Sequence, residues 1–202
     1  MRWRHLAAAA LPALVLSPLL FTNAPAGHAA AARQATSSAR SPGAGPVIVV
    51  DTIKGTFAFE TYPDDAPKTV AHVMKLVKRG FYNGQRVHRA VPGFVVQFGD
   101  PQSRDMTLRE WWGRGDRAGS GTPVGTAEIS KKHFHTRGAV AMAHSGNPAQ
   151  ADAQFYVVLA PAPRLNGKYA VFGRVIEGLD VPAKLKVADM IRKVTVRTAA
   201  SP

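Results

Sequence analysis

The sequence predicts a mainly β domain, folded as a sandwich or a barrel. Three observations carry that expectation. About eight short runs of β-prone residues are separated by Gly, Pro, Asn and Asp turn signals. Only two stretches show helical character. One unit, Val87–Asp100, is a hairpin signal by itself, with two β-prone runs flanking Pro92-Gly93. Periodicity alone does not choose between a sandwich and a barrel.

Val47–Ile53 is the first β-rich run, Lys54-Gly55 marks a turn, and Thr56–Thr61 alternates into a second strand. Pro63–Pro67 breaks that strand. Asp64 and Asp65 are suited to cap a helix whose first turn contains Pro67. Val70, Val73, Met74 and Val77 then form one apolar stripe, and Gly80 ends the helix. Lys68, His72, Lys75 and Arg79 fall largely on other faces, and His72 is expected to be solvated.

Beyond the hairpin, Pro101–Pro123 is a long irregular insert with Gly113, Gly115, Gly119 and Gly121. Its Trp111-Trp112 pair is expected to pack the loop, with contact to polypeptide clients as the alternative. The insert is no phosphate cradle, because it lacks a strand–GxxxxGK–helix arrangement. Ala127-Glu128-Ile129 is a short strand candidate. His133-Phe134-His135 places two imidazoles on one side of an extended segment. With no Cys, no His-Glu-x-x-His motif and no evident third ligand, these read as a surface pair rather than a metal site. Gly138–Ala143 and Gln154–Ala160 are strands separated by a small polar loop, and Pro161–Lys168 is a turn region. Val171–Ile176 is a strand. Asp180 is the expected cap of a helix over Val181–Ala188, and Ile191–Val196 is the last strand.

The hairpin has one odd feature. Arg89 and Gln97 interrupt runs otherwise made of Val, Ala and Phe. A guanidinium is costly to surround with apolar groups, and its planar fork suits it to holding a carbonyl or amide. An amide oxygen at Gln97 would orient that fork. An exposed hairpin with both residues on its solvated face is the plain alternative.

This stretch resembles the signature of the cyclophilin family of peptidyl-prolyl isomerases, in His88-Arg89, Pro92-Gly93-Phe94, Gln97 and Gly99-Asp100. Two further blocks follow in the family's order: Met142-Ala143 with Gln154-Phe155-Tyr156, and Leu165 through Gly173. The resemblance spans about Val47 to Val196. It implies a closed eight-stranded antiparallel β-barrel capped by two α-helices, and catalysis of rotation about the bond preceding proline. It also implies the site. Arg89, Gln97 and Phe94 would be catalytic, with Gln97 holding Arg89. Phe94, Tyr156 and Leu165 would line a proline pocket with Met142 behind it. Gln154 and the Ala143 backbone would bind the substrate main chain. Val95 would stand at the pocket rim, and His88 and Tyr169 at the edge.

The chain departs from the family's usual residues at several of these places. Val87 stands where an aromatic is usual, Val95 for a Met, Phe98 for a Gly, and Tyr169 for a His. His144 holds a position often filled by Asn or Arg, and Arg164 one where some members carry Trp. The Arg164 difference implies weak binding of cyclosporin, a family inhibitor. Val95 and Phe98 bear on substrate range and rate.

The first residues have the three-part pattern of a secretory signal peptide. Arg2, Arg4 and His5 precede an apolar run, Leu6–Phe21, and small residues around Ala24-Pro25-Ala26 and Ala29–Ala32 follow. A membrane anchor is the alternative, but this run contains Pro12 and Pro18 and is short of the ~20 residues a span needs. The expected organisation is a signal peptide at 1–32, a flexible Ala/Ser/Gly/Pro-rich linker at 33–46 and an isomerase domain at 47–198. The product would be an exported, periplasmic or secreted monomer that assists protein folding, with no membrane span after cleavage. The chain contains no Cys, which rules out disulfides and a lipid-modified N-terminal cysteine.

Net charge is +13, which favours anionic partners. The positive charges are scattered, with no basic helix or aromatic-interleaved cluster, so no nucleic-acid partner is expected. The expected partners are proline-containing unfolded or flexible polypeptides, with no cofactor and no metal. A proline-peptide-binding scaffold without turnover and a basic wall-binding protein are the competing readings.

Overall fold

In the computed structural model, which describes residues 45–197, eight strands form one antiparallel sheet in the order β3-β4-β6-β5-β7-β2-β1-β8. The strands are β1 Val47–Thr52, β2 Gly55–Thr61, β3 Arg89–Val91, β4 Val95–Phe98, β5 Ala139–Met142, β6 Phe155–Val158, β7 Val171–Glu177 and β8 Ile191–Val196. The expected signal peptide at 1–32 and nearly all of the linker at 33–46 lie outside the described residues.

The sheet curls into a half-barrel rather than the closed barrel expected. Its edge strands β3 and β8 are not paired with each other. β3 is only three residues long, and the chain just before it crosses the chain just before β8 instead. Gly84 N–H donates to the Ile191 carbonyl at 2.9 Å, Ile191 N–H to Gln85 at 2.8 Å, and Val87 N–H to Asp189 at 2.9 Å. One bridge, Arg86 opposite Met190, spans the gap.

Alternation along the strands separates two apolar clusters. Val96, Phe98, Val140, Met142, Phe155 and Val157 point inward with Ile48, Phe59 and Phe172. Rings dominate this interior: Phe98 meets Phe155 with centroids 4.6 Å apart, and Phe59 meets both Phe155 and Phe172 edge-on. Val95, Ala139, Ala141, Tyr156, Val158 and Val171 point the other way, under Phe94, Leu165 and Tyr169. Fully burying a side chain such as Phe98 or Phe155 stabilises by about 1.5–3 kcal/mol.

Helix α1, Pro67–Lys78, buries Val70, Val73, Leu76 and Val77 into the inner cluster. Its capping differs from expectation. Ala66 occupies the N-cap and supplies no side-chain bond. Asp65 is instead engaged by Lys132 and His133, at 3.0 and 2.9 Å. The free N–H groups of Lys68 and Thr69 donate to the two Glu128 carboxylate oxygens, at 3.0 and 2.8 Å. A carboxylate there also faces the positive end of the helix dipole. Ala127–Ile129 is therefore not a strand but the segment that delivers this cap. His72 is not solvated either: its side chain is 12% exposed and its Nε2 lies 3.2 Å from Asp152 Oδ1.

Helix α2 covers only Val181–Lys184, half the expected length, because Leu185 turns extended at ψ 139°. Asp180 makes no cap bond and pairs with Lys184 one turn on. The insert after β4 holds two 3₁₀ turns, Pro101–Arg104 and Met106–Trp111. Its tryptophans divide. Trp112 is buried, its Nε1–H donating to the Asp105 carbonyl at 3.1 Å, whereas Trp111 is 57% exposed.

The Glu128 cap has a measurable cost of removal. Glu128→Ala is expected to lower unfolding free energy by about 1 kcal/mol in urea titration, the usual loss for a deleted N-cap. Amide hydrogen exchange at Lys68 and Thr69 should quicken while the strands stay protected.

Candidate active site

The β3–β4 hairpin turns through Pro92-Gly93, where Gly93 takes φ 67°, a left-handed value that suits Gly. Register then pairs Arg89 with Gln97 and Val91 with Val95. Across the next ladder Gln97 faces Tyr156 and Val95 faces Val158. These residues share the outer side of the sheet. Gly99 ends β4 at φ 114°, and a Cβ there would sit 2.4 Å from the Ala153 carbonyl oxygen. Only a glycine lets the chain lie this close to the segment that carries Gln154.

A cleft of about 180 Å³ opens on this face. It is lined by Arg89, Phe94, Val95, Gln97, Ala143, His144, Tyr156, Leu165 and Tyr169. Eight of these are among the residues that the resemblance assigns to the site; His144 is the addition. A second cavity of about 440 Å³ adjoins it, sharing Gln97, Ala143 and His144 and continuing along Gln154 and the glycines of the insert.

Three residues from the sequence stand elsewhere. Met142 is 1% exposed and points into the inner cluster, on the opposite face from the cleft. Gln154 lines the adjoining cavity. His88 lies behind the cleft against Gly113, whose Cβ position is 2.9 Å from His88 Cδ2. The departures resolve similarly. Phe98 and Val87 are fully buried in the inner cluster and do not line the cleft. Arg164 lies over the Phe94 ring, 4.2 Å from its centroid, and Arg89 approaches the same ring at 5.7 Å. The Phe94 ring thus has two cations against it.

The expected hydrogen bond between Gln97 and Arg89 is not formed. Gln97 Nε2–H donates instead to Gln154 Oε1 at 2.9 Å, and Gln154 Nε2–H donates to the Ala118 carbonyl at 2.8 Å. The insert is fastened beside this chain of amides. Asp100 accepts from Gly113 N–H at 2.5 Å, and Asp152 accepts from Ser120 and Gly121 N–H at 2.7 and 2.9 Å. Burial disfavours charge on Asp152, but the bonds from His72, Ser120 and Gly121 outweigh it and hold the carboxyl below its usual range. Arg89 is paired with no carboxylate among the described residues, and its guanidinium is exposed at the cleft. His144 Nε2 bonds the Lys168 carbonyl at 2.9 Å, and its ring lies 4.4 Å from that of Tyr169. Among the described residues no group of three or more His, Asp or Glu side chains is placed to hold a metal.

A half-barrel carrying a cleft walled by Phe94, Val95, Leu165, Tyr156 and Tyr169, with Arg89 among its lining residues, is suited to gripping an extended peptide. It presents no activated nucleophile. The sequence model described as "Cyclophilin type peptidyl-prolyl cis-trans isomerase/CLD" matches residues 47–200, and the chain belongs to this family. It is a peptidyl-prolyl cis-trans isomerase. A probable peptidyl-prolyl cis-trans isomerase of Brucella abortus is 41% identical over 151 residues, which are 75% of this chain and 76% of that protein. Peptidyl-prolyl cis-trans isomerase B of Bacillus subtilis is 38% identical over 138 residues, 68% of this chain and 88% of its own length. In fold, the crystal structure of a Cryptosporidium parvum cyclophilin superposes with a TM-score of 0.65 at 21% identity, covering 76% of this chain and 98% of that one.

His88 makes the site pH-sensitive in stability. Neither ring nitrogen has a hydrogen-bond partner among the described residues. Burial pushes its pKa down to about 4, against the opposing pull of Asp100. The unfolded chain takes up this proton near pH 6.5, and the folded chain does so only near pH 4. Stability therefore falls as pH drops through that window, by up to about 1.4 kcal/mol per unit from this group. Urea midpoints measured from pH 7 to 4 should show a steeper decline in the wild type than in His88→Gln.

Proposed function

We propose that the cleft takes a prolyl ring among Phe94, Val95, Tyr156 and Leu165, and that Arg89 is the catalytic donor. The barrier to be lowered is amide resonance, about 18–20 kcal/mol. Uncatalysed exchange takes tens to hundreds of seconds. Millisecond turnover needs about 10⁵-fold, roughly 7 kcal/mol. As the bond twists, the proline nitrogen becomes pyramidal and regains a lone pair. A donor aimed at that nitrogen binds the twisted state better than the planar one, which is the condition for raising kcat. A guanidinium keeps its proton throughout the physiological range.

The observation that carries this reading is the state of Arg89. Among the described residues it lines the cleft without a carboxylate partner, beside the Phe94 ring. Its N–H groups are left for substrate. The apolar wall contributes separately. Less polar surroundings weaken the charge-separated planar amide, and the wall fixes the ring while the acyl side turns. Gln97 and Gln154, tied to each other and to the insert, act as a rigid flank along which the substrate main chain runs. The Ala143 backbone faces the same strip.

The place of action is part of the proposal. The signal-like leader supports export, after which the isomerase would assist folding of periplasmic or secreted polypeptides. No helix among the described residues is long and apolar enough to cross a membrane. Sequencing the N-terminus of the chain recovered from outside the cytoplasm tests this half. Recovery only from the cytoplasm, with Met1 retained, overturns it.

Arg89→Ala is expected to lower kcat/KM on an Ala-Pro tetrapeptide by about 10²–10³-fold, the loss usual for one preorganised donor. The circular dichroism and melting temperature should stay close to wild type, because Arg89 is exposed. Arg89→Lys should recover little, since an ammonium lacks the planar fork. A folded Arg89→Ala protein at full speed removes Arg89 from the mechanism.

A further inference from the structure

The His133-Phe134-His135 segment is not the surface pair that its sequence suggests. Phe134 is 55% exposed, while His135 is 2% exposed and sits beneath the cleft. Both of its ring nitrogens are committed. His135 N–H and Nδ1 lie 2.9 and 3.0 Å from the same atom, Asn166 Oδ1. A backbone N–H can only donate, so this Asn166 atom is the oxygen, and Nδ1 must carry its proton to donate to it. That leaves Nε2 as an acceptor. It lies 3.0 Å from the Tyr156 hydroxyl, which therefore donates to it. The His135 ring stacks within 20° of the Tyr156 ring, at 6.0 Å between centroids.

This chain runs from a turn into the substrate cleft. Asn166 directly follows Leu165, which lines the cleft, and Tyr156 lines it as well. Ala162 N–H also donates to the His135 carbonyl, at 2.8 Å. His135 thus ties β6 to the 163–165 turn at the point where both present side chains to the cleft.

We propose that His135 is a positioning residue for the isomerase reaction, holding the Tyr156 hydroxyl so that the Tyr156 ring keeps a single orientation against the prolyl ring. Asn166 sets the imidazole tautomer that makes this possible. The inference rests on reading the cleft as the proline site. A contact with the prolyl ring is the same in the cis, trans and twisted states. Loosening it weakens binding of all three together, which raises KM and leaves kcat nearly unchanged.

The device has a built-in pH response. Burial holds the His135 pKa below its usual value, with the Asn166 bond opposing. Once Nε2 is protonated it becomes a donor, and the Tyr156 hydroxyl can no longer donate to it. The titratable groups facing His135 are Tyr156 on β6 and Tyr169 ahead of β7, whose ring lies 6.3 Å away. The charge on the neighbouring turn, Arg164, is directed at Phe94.

The test uses the folded chain with Tyr156→Phe, His135→Leu, which leaves the Tyr156 hydroxyl no acceptor at that position, and the double variant, assayed by saturation kinetics on an Ala-Pro tetrapeptide. Tyr156→Phe keeps the ring and removes only the hydroxyl. Each single variant should raise KM about 3- to 10-fold, with kcat within twofold, and the double variant should match the singles, because both remove one bond. In the wild type, KM should rise at acid pH in step with protonation of His135, followed by nitrogen NMR of the imidazole. That acid rise should be absent in Tyr156→Phe. Wild-type KM and an unchanged acid profile in folded Tyr156→Phe overturn the proposal, as does a double variant whose effect is the product of the singles. If His135→Leu fails to fold, Tyr156→Phe decides alone. Peptide-induced NMR shifts at Phe94 and Leu165 in the wild type test the cleft assignment itself, so its failure is distinguishable.

Discussion

Phe98 against Phe155 sets more of this molecule than any contact in the cleft. The two rings meet inside the sheet as directly opposed residues of neighbouring strands. Strand side chains alternate with period two, so a slip of one residue would exchange the two faces. With Phe98 and Phe155 inside, Gln97 and Tyr156 are forced outside, and Arg89 follows through its pairing with Gln97. The same alternation on β5 sends Met142 inward and Ala141 outward. The geometry of the site is thus a by-product of core packing. Large apolar rings hold the register, and the face that carries the cleft inherits it.

Around this frame the polar groups divide by rigidity. Gln97, Gln154, Asp100 and Asp152 are all bound to partners and fix the insert beside the cleft. Arg89 has no carboxylate partner among the described residues. For a reaction that breaks no bond, this division is physically sensible. The surroundings must not relax as the amide twists, and on the proposal made above Arg89 would be the donor that meets the nitrogen when its lone pair appears. Burial lowers the proton affinity of both His88 and His135.

Local pattern made much of this legible. β-prone runs between turn signals located all eight strands to within a residue or two, with Ala127–Ile129 as one false candidate, Pro92-Gly93 marked the hairpin, and the apolar stripe marked α1. The blocks around Arg89, Gln154 and Leu165 named eight of the nine residues that line the cleft. What stayed hidden depends on partners distant in the chain. Glu128 caps a helix about 60 residues earlier, and no nearby signal pairs it with that helix. Gln97 was expected to serve Arg89, but Gln154, brought close by the β4–β6 ladder, takes its amide instead. The His133-Phe134-His135 spacing suggested a surface pair, but the two imidazoles have different surroundings: His133 engages Asp65, while His135 is buried against Asn166 and Tyr156. Phe98 was expected to bear on substrate range and rate because its neighbours are site residues, but strand alternation turns it into the inner cluster.

The position of the first strand between β2 and the final strand has a consequence for the order of events during synthesis. β1 finds β2 at once through a two-residue turn, but its other edge stays bare until almost the whole domain has been made. Contacts so far apart in sequence form late and slowly. The nascent polypeptide therefore cannot complete its sheet while its last strand is still within the ribosome. This enzyme of slow conformational steps is itself a late finisher, its sheet held open until β8 is available to β1.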